Sequence, residues 1–193
     1  MSSTESDPAL DPQDRARLIG IARDSVSSGL DAGRPCDVNL EQCSPTLRLE
    51  RATFVTLEID KQLRGCIGSL EAHRALALDV AANAWSAAFR DPRFTPLSVV
   101  EADGLAITIS ILSPHQPMSV EDENHLLAQL RPGIDGLVLE EDERRATFLP
   151  SVWASLEDPR AFLSQLRRKA GMPSDYWSER MRFKRYTTDT FQS

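Results

Sequence analysis

Two glycines stand three residues apart inside a stretch that otherwise reads as a β-strand, Leu63-Arg64-Gly65-Cys66-Ile67-Gly68. Glycine weakens a strand interior, so its presence there marks a bulge or a place where another backbone or a ligand comes close. The preceding run, Thr53-Phe54-Val55-Thr56-Leu57-Glu58-Ile59, alternates Val55, Leu57 and Ile59 with Phe54, Thr56 and Glu58, the period of a half-buried strand. With Asp60-Lys61-Gln62 as a three-residue hairpin loop, Ile59 faces Leu63, Leu57 faces Gly65 and Val55 faces Ile67, which gives one apolar face. The opposite face then carries Glu58 beside Arg64 and Thr56 beside Cys66.

Arg64 and Cys66 are two residues apart on one strand, so their Cα atoms lie roughly 6.6 Å apart and their side chains point the same way. A guanidinium at that range favours the thiolate over the thiol, and a Glu58–Arg64 pair would blunt the effect. Two readings stand side by side. In one, Cys66 is a small buried hydrophobe, as free cysteines often are. In the other, Cys66 and Arg64 are catalytic, while Gly65 and Gly68 let a substrate lie against the strand and Asp91 and Arg93 contribute to binding it. The turn Asp91-Pro92-Arg93-Phe94 also has a purely structural reading. His73 lies closest of the three histidines to the motif and is the first candidate for a base, although no spacing ties it to Cys66.

The chain of 193 residues carries a net charge of −7, which argues against general nucleic-acid binding. From Arg160 onward, however, eight Lys and Arg stand against three acids. That stretch reads either as a solvated, charge-guarded surface or as a patch for an anionic partner. Three cysteines, Cys36, Cys43 and Cys66, leave at least one thiol unpaired and match no zinc or redox spacing, so a reducing, cytoplasmic setting is expected. No apolar run approaches the roughly 20 residues of a membrane span. The polar, acidic start lacks a secretory pattern and suggests a disordered tail over residues 1–11. No phosphate-binding loop, dinucleotide fingerprint, nucleophile elbow or zinc-protease motif is present, so no cofactor is expected. The Glu121–His125 cluster reads as a helix start rather than a metal site.

Along the chain, Asp11-Pro12-Gln13-Asp14 starts a helix that Gly29 is expected to stop. Leu76 to Phe89 forms an alanine-rich helix with apolar residues on two stripes, the pattern of a helix packed on both sides, and Asp91-Pro92 ends it. Leu105 to Leu112 is the clearest strand. Leu137–Glu140 and Ala146–Leu149 form a second hairpin, and a helix from Pro150 closes at Gly171. Phe183, Tyr186, Thr188 and Phe191 make a last strand of irregular spacing. Hairpin-joined strands with several helices imply an α+β fold with a mostly antiparallel sheet.

The order of several motifs resembles the AMMECR domain family, which includes the AmmeMemoRadiSam system protein A. The resemblance rests on Leu63–Gly68, on Ala88-Phe89-Arg90-Asp91-Pro92-Arg93-Phe94 with Pro96-Leu97, and on Ile111-Leu112-Ser113-Pro114. It continues through Arg131-Pro132-Gly133-Ile134-Asp135-Gly136-Leu137, Phe148-Leu149-Pro150-Ser151-Val152-Trp153 and Lys169-Ala170-Gly171, over residues 12 to 191. It implies a single domain over 12–193 whose larger and smaller lobes flank a cleft. It also implies a link to a Memo-type protein and a radical-SAM enzyme, with a small molecule of unspecified identity as ligand. Arg64 and Cys66 belong to the family's signature and are carried over as the site. The resemblance fixes no reaction, so an enzyme or substrate-handling subunit and a non-catalytic adaptor domain both remain open.

Overall fold

The structure is a computed structural model that describes residues 10–193. Residues 1–9 of the expected tail lie outside the described residues, whereas Asp11 is ordered as a helix cap. The chain divides into two compact units, residues 10–112 with 189–193 and residues 113–188. Both combine helices with a four-stranded sheet, and every strand pair whose register is known is antiparallel, as an α+β fold requires. Among the described residues no helix is long and apolar enough to cross a membrane.

In the first unit, helix α1 (Pro12–Ala32) starts at Asp11, whose carboxylate accepts from the Asp14 amide, and it places Leu18, Ile21, Ala22 and Val26 in the core. It runs through Gly29 and ends at Gly33, which takes the left-handed conformation at φ 70°. Gly29 is a packing glycine instead: a Cβ there would fall 2.1 Å from Cε2 of Phe89. A short helix α2 (Pro45–Arg48) leads into strands β1 (Thr53–Ile59) and β2 (Gln62–Gly68). Helix α3 (Leu76–Phe89) packs against α1 on one side and against β1 and β2 on the other. Its alanines make this double packing possible, since Ala77, Ala81, Ala84, Ala87 and Ala88 are all buried.

The start of β1 is tied to α3 by a buried polar cluster. The Asp79 carboxylate accepts from the Thr53 amide (2.9 Å), the Thr53 hydroxyl (2.6 Å) and the Asn83 side chain (2.9 Å), and Arg74 closes its other oxygen at 2.7 Å. Each buried polar group thus has a partner, which avoids the roughly 1–3 kcal/mol cost of an unsatisfied one. After α3 come a short helix α4 (Val99–Ala102) and strand β3 (Leu105–Leu112), which pairs with β1. The final strand β8 (Thr188–Gln192) completes the order β2-β1-β3-β8.

The hairpin register differs from expectation at its tip. Asp60 and Lys61 both take positive φ, 51° and 62°, so the loop has two residues rather than three. Ile59 therefore pairs with Gln62 and Glu58 with Leu63. A bulge at Arg64 then restores the expected pairs Leu57–Gly65, Thr56–Cys66 and Val55–Ile67.

The second unit holds strands β4 (Gln116–Met118), β5 (Gly136–Glu141), β6 (Arg144–Phe148) and β7 (Arg182–Tyr186) in the order β4-β7-β5-β6, with helices α5 (Glu123–Gln129) and α6 (Pro159–Lys169). The expected single last strand is two strands, β7 and β8, in different sheets. The irregular spacing of the sequence reflects the break at Thr187. Residues from Pro150 to Ala154 form a 3₁₀ turn, and the α-helix begins later, at the Asp158 cap. Gly171 ends it at φ 74°, as expected.

Both motif glycines are accounted for by close packing. A Cβ on Gly65 would lie 2.1 Å from the Ala87 carbonyl oxygen of α3, and one on Gly68 would meet the Phe54 ring and the Thr53 carbonyl oxygen, each at 2.4 Å. Because the obstacle at Gly65 is helix backbone, Gly65→Ala is expected to destabilise the protein by about 1–3 kcal/mol. Urea unfolding measures this, and a change below about 0.5 kcal/mol would contradict the contact.

Candidate functional site

Gly65 faces α3, so strand alternation turns Cys66, the partner of Thr56, to the opposite face of the sheet, while Arg64 stands in the bulge, where alternation is interrupted. Cys66 is half-buried there, and its Sγ accepts from the Thr56 hydroxyl across the ladder at 3.3 Å. The other two cysteines belong to the core side of this unit, where Cys36 Sγ donates to the Ile21 carbonyl and Cys43 Sγ to the Asn39 carbonyl. Burial pushes the Cys36 thiol up.

The main chain of Cys66 is engaged on both sides of its Cα. Its amide donates to Asp91 Oδ2 at 2.9 Å, and its carbonyl accepts from Arg93 Nη2 at 3.4 Å. Asp91 and Arg93 are joined to each other through Nε–Oδ1 (3.0 Å) and Nη2–Oδ2 (2.7 Å). The Asp91 carboxylate is buried and the Arg93 side chain half exposed. The Arg93 guanidinium holds the Asp91 carboxyl well below the usual carboxylate range, and the Cys66 and Arg93 amides add to this against the opposing effect of burial. Arg93 is in turn held more firmly protonated, by Asp91 first and to a smaller extent by the charge of an ionised Cys66 sulfur.

Arg64 does not find its carboxylate in Glu58. The bulge carries it to Glu101 on α4, with Nε–Oε1 at 2.7 Å and Nη2–Oε2 at 3.2 Å, and only 12% of the Arg64 side chain is exposed. Glu101 Oε2 also accepts from the amide and hydroxyl of Ser98. Arg64, followed by Ser98, pulls the Glu101 carboxyl down to about 2. Arg64 Nη1 is buried with no hydrogen-bond partner. The Phe94 ring lies near both cations, its centroid 5.8 Å from Arg64 Cζ and 5.4 Å from Arg93 Cζ.

The structure thus brings Cys66, Asp91 and Arg93 together and adds Thr56 and Phe94 beside them, while Glu101 meets Arg64. The Ser98-x-x-Glu101 spacing is legible as a helix-capping pattern, but nothing in it announces a partner 37 positions earlier. His73 is exposed, and its Nδ1 donates to the Glu71 carbonyl at 3.0 Å. Among the described residues, one open groove of about 550 Å³ lies at Pro132, Pro150 and Trp153 in the second unit and another of about 520 Å³ at Asp14, Arg17 and Ser44 in the first. Neither is lined by Cys66 or Arg64.

A family model described as AMMECR1 matches residues 19–191. A protein of Methanothermobacter thermautotrophicus is 34% identical over 179 residues, covering 90% of this chain and 91% of that one. A protein of Sulfolobus acidocaldarius is 36% identical over 178 residues, 88% of this chain and 77% of its own. Among solved structures, the uncharacterised protein PH0010 of Pyrococcus horikoshii superposes with a TM-score of 0.88 at 27% identity, covering 95% of this chain and 93% of that one.

The depressed Glu101 carboxyl makes the Arg64–Glu101 pair pH-dependent. Its stabilisation is fully present above the ordinary value of 4.5 and is lost as pH falls toward about 2. The stability difference between the wild type and Glu101→Gln, measured by denaturant unfolding, is therefore expected to shrink across that window. A difference independent of pH from 6 to about 2 would contradict the pairing.

Proposed function

The chain belongs to the AMMECR1 family, and from that premise we propose that it is a thiol-bearing enzyme or substrate-handling subunit of the AmmeMemoRadiSam type, with Cys66 as its reacting group. The observation that carries this reading is the half-buried Cys66 on the sheet face away from α3, its sulfur hydrogen-bonded by Thr56 and its carbonyl by Arg93. In the ionised form the sulfur attacks an electrophilic carbon or sulfur atom. One bond forms to Sγ as the leaving group departs with the electron pair of the bond that breaks. Arg64 assists as a fixed positive charge two residues from Cys66, held in place by Glu101. Gly65 and Gly68 serve by letting α3 and Phe54 close on the strand. The family resemblance supplies the partners in this reading, a Memo-type protein and a radical-SAM enzyme, and the unpaired cysteines its cytoplasmic setting.

A second reading, a non-catalytic adaptor for the same partners, is favoured by a specific observation. Next to the Arg64–Glu101 pair in the sequence stand Leu63, Val99 and Val100, with 42%, 71% and 87% of their surfaces exposed. Exposed aliphatic side chains of this size suit a protein contact.

Alkylation by iodoacetamide, followed against pH and located by peptide mass spectrometry, separates the two. The enzyme reading expects Cys66 to react with a midpoint below the roughly 8.5 of free cysteine, ahead of Cys36 in the same sample, and Arg64→Ala to slow it. A Cys66 midpoint at or above the free value, with association to the purified Memo-type and radical-SAM proteins surviving Cys66→Ser, would establish the adaptor.

A further inference from the structure

Among the described residues β2 is an outer strand of its sheet, so the main-chain groups on its far side have no strand there to bond. At Cys66 two side chains fill that place. Asp91 supplies an acceptor for the amide and Arg93 a donor for the carbonyl, as the carbonyl and amide of a neighbouring strand would. The double hydrogen bond between them makes acceptor and donor one unit. The unit is itself anchored, since the Arg93 amide donates to Asp91 Oδ1 and the Leu97 amide donates to the Ala88 carbonyl at the end of α3.

We propose that Asp91 and Arg93 are positioning residues for Cys66. Their side chains stand in for a missing strand, fix the Cys66 peptide, and set the charge that its sulfur meets. The proposal rests on the reading of Cys66 as a reacting thiol and moves the pair from substrate contact to positioning.

Charged groups from several elements surround this face. Glu58 comes from β1 and Asp91 and Arg93 from the turn after α3, while β3 contributes the uncharged Thr108; Arg64, in the bulge two residues before Cys66, is paired with Glu101 of α4. Arg64 is offset by the two-bonded Glu101. Arg93 favours the thiolate and Asp91 opposes it, so the two act with opposite sign on one atom. The amide of Cys66, already bonded to a carboxylate, is unavailable to an oxyanion. This directs Cys66 toward electrophiles whose negative charge departs with a leaving group.

The test is the pH profile of Cys66 alkylation by iodoacetamide in the full chain, for the wild type, Arg93→Ala, Arg93→Lys and Asp91→Asn. Arg93→Ala is expected to raise the midpoint by about 0.5–1 pH unit, an opposite-charge effect reduced by the exposure of Arg93. Arg93→Lys, which keeps the charge, should remain within a few tenths of wild type. Asp91→Asn keeps an oxygen for the Cys66 amide and removes the negative charge, so it should lower the midpoint. Should Arg93→Ala fail to fold, the near-isosteric Asp91→Asn decides alone. A reactive wild-type Cys66 whose midpoint moves in neither variant overturns the positioning role and leaves the thiol reading standing. A wild-type Cys66 that does not react overturns both.

Discussion

The contact between Gly65 and the Ala87 carbonyl oxygen sets the geometry of everything around Cys66. Only a residue without a side chain lets the backbone of α3 lie directly on β2. With the helix that close, its end at Phe89 brings the next turn against the strand, and Asp91 reaches the amide of the residue after Gly65. The same contact fixes the inner face of β2, so alternation sends Cys66 outward. At the start of β1, the Thr53–Asp79–Asn83 cluster holds the helix and the hairpin together. Of the readings the sequence allows for Gly65, a bulge or a close approach by a backbone or a ligand, the fold shows the approach of a backbone.

Much of the architecture is legible because it depends on local pattern. The limits of α3, the alternation of β1 and β3, and the β5–β6 hairpin follow from periodicity and turn residues. What escapes depends on distant atoms. The end of α1 was expected at Gly29, but the ring of Phe89 fills the space a side chain would need there, and Gly33 performs the stop. The two-residue turn at Asp60-Lys61 lacks the glycine or asparagine that usually marks positive φ. Glu58 looked like the partner of Arg64 because it is near on the hairpin, yet the bulge redirects the guanidinium to Glu101. At the site, the strand and the placing of Thr56 beside Cys66 were legible. The hold of Asp91 and Arg93 on the Cys66 peptide was not, because a side chain that mimics a strand leaves no periodic trace.

The second unit shows what the remaining family motifs do physically. In Arg131–Gly136, the buried Asp135 carboxylate accepts from the amide and guanidinium of Arg131 and closes the loop on itself. Trp153, stacked on Phe162 at 3.8 Å, donates its indole N–H to the Asp135 carbonyl. Lys169 donates to the Thr147 carbonyl of the outer strand β6. Several of the basic residues beyond Arg160 meet acids of the same unit, Lys184 at Glu140, Arg180 at Asp142 and Arg167 at Glu123. These motifs maintain shape, whereas the strand of the first unit carries a thiol whose surroundings are organised around its peptide.

Amide hydrogen exchange at Cys66, resolved by NMR in the wild type and in Asp91→Ala, tests the hold on that peptide most directly. The account predicts a wild-type amide protected well beyond an open edge position, with at least about a tenfold loss of protection in the variant while the neighbouring β1 amides keep theirs. Equal, rapid exchange of the Cys66 amide in both proteins would contradict it.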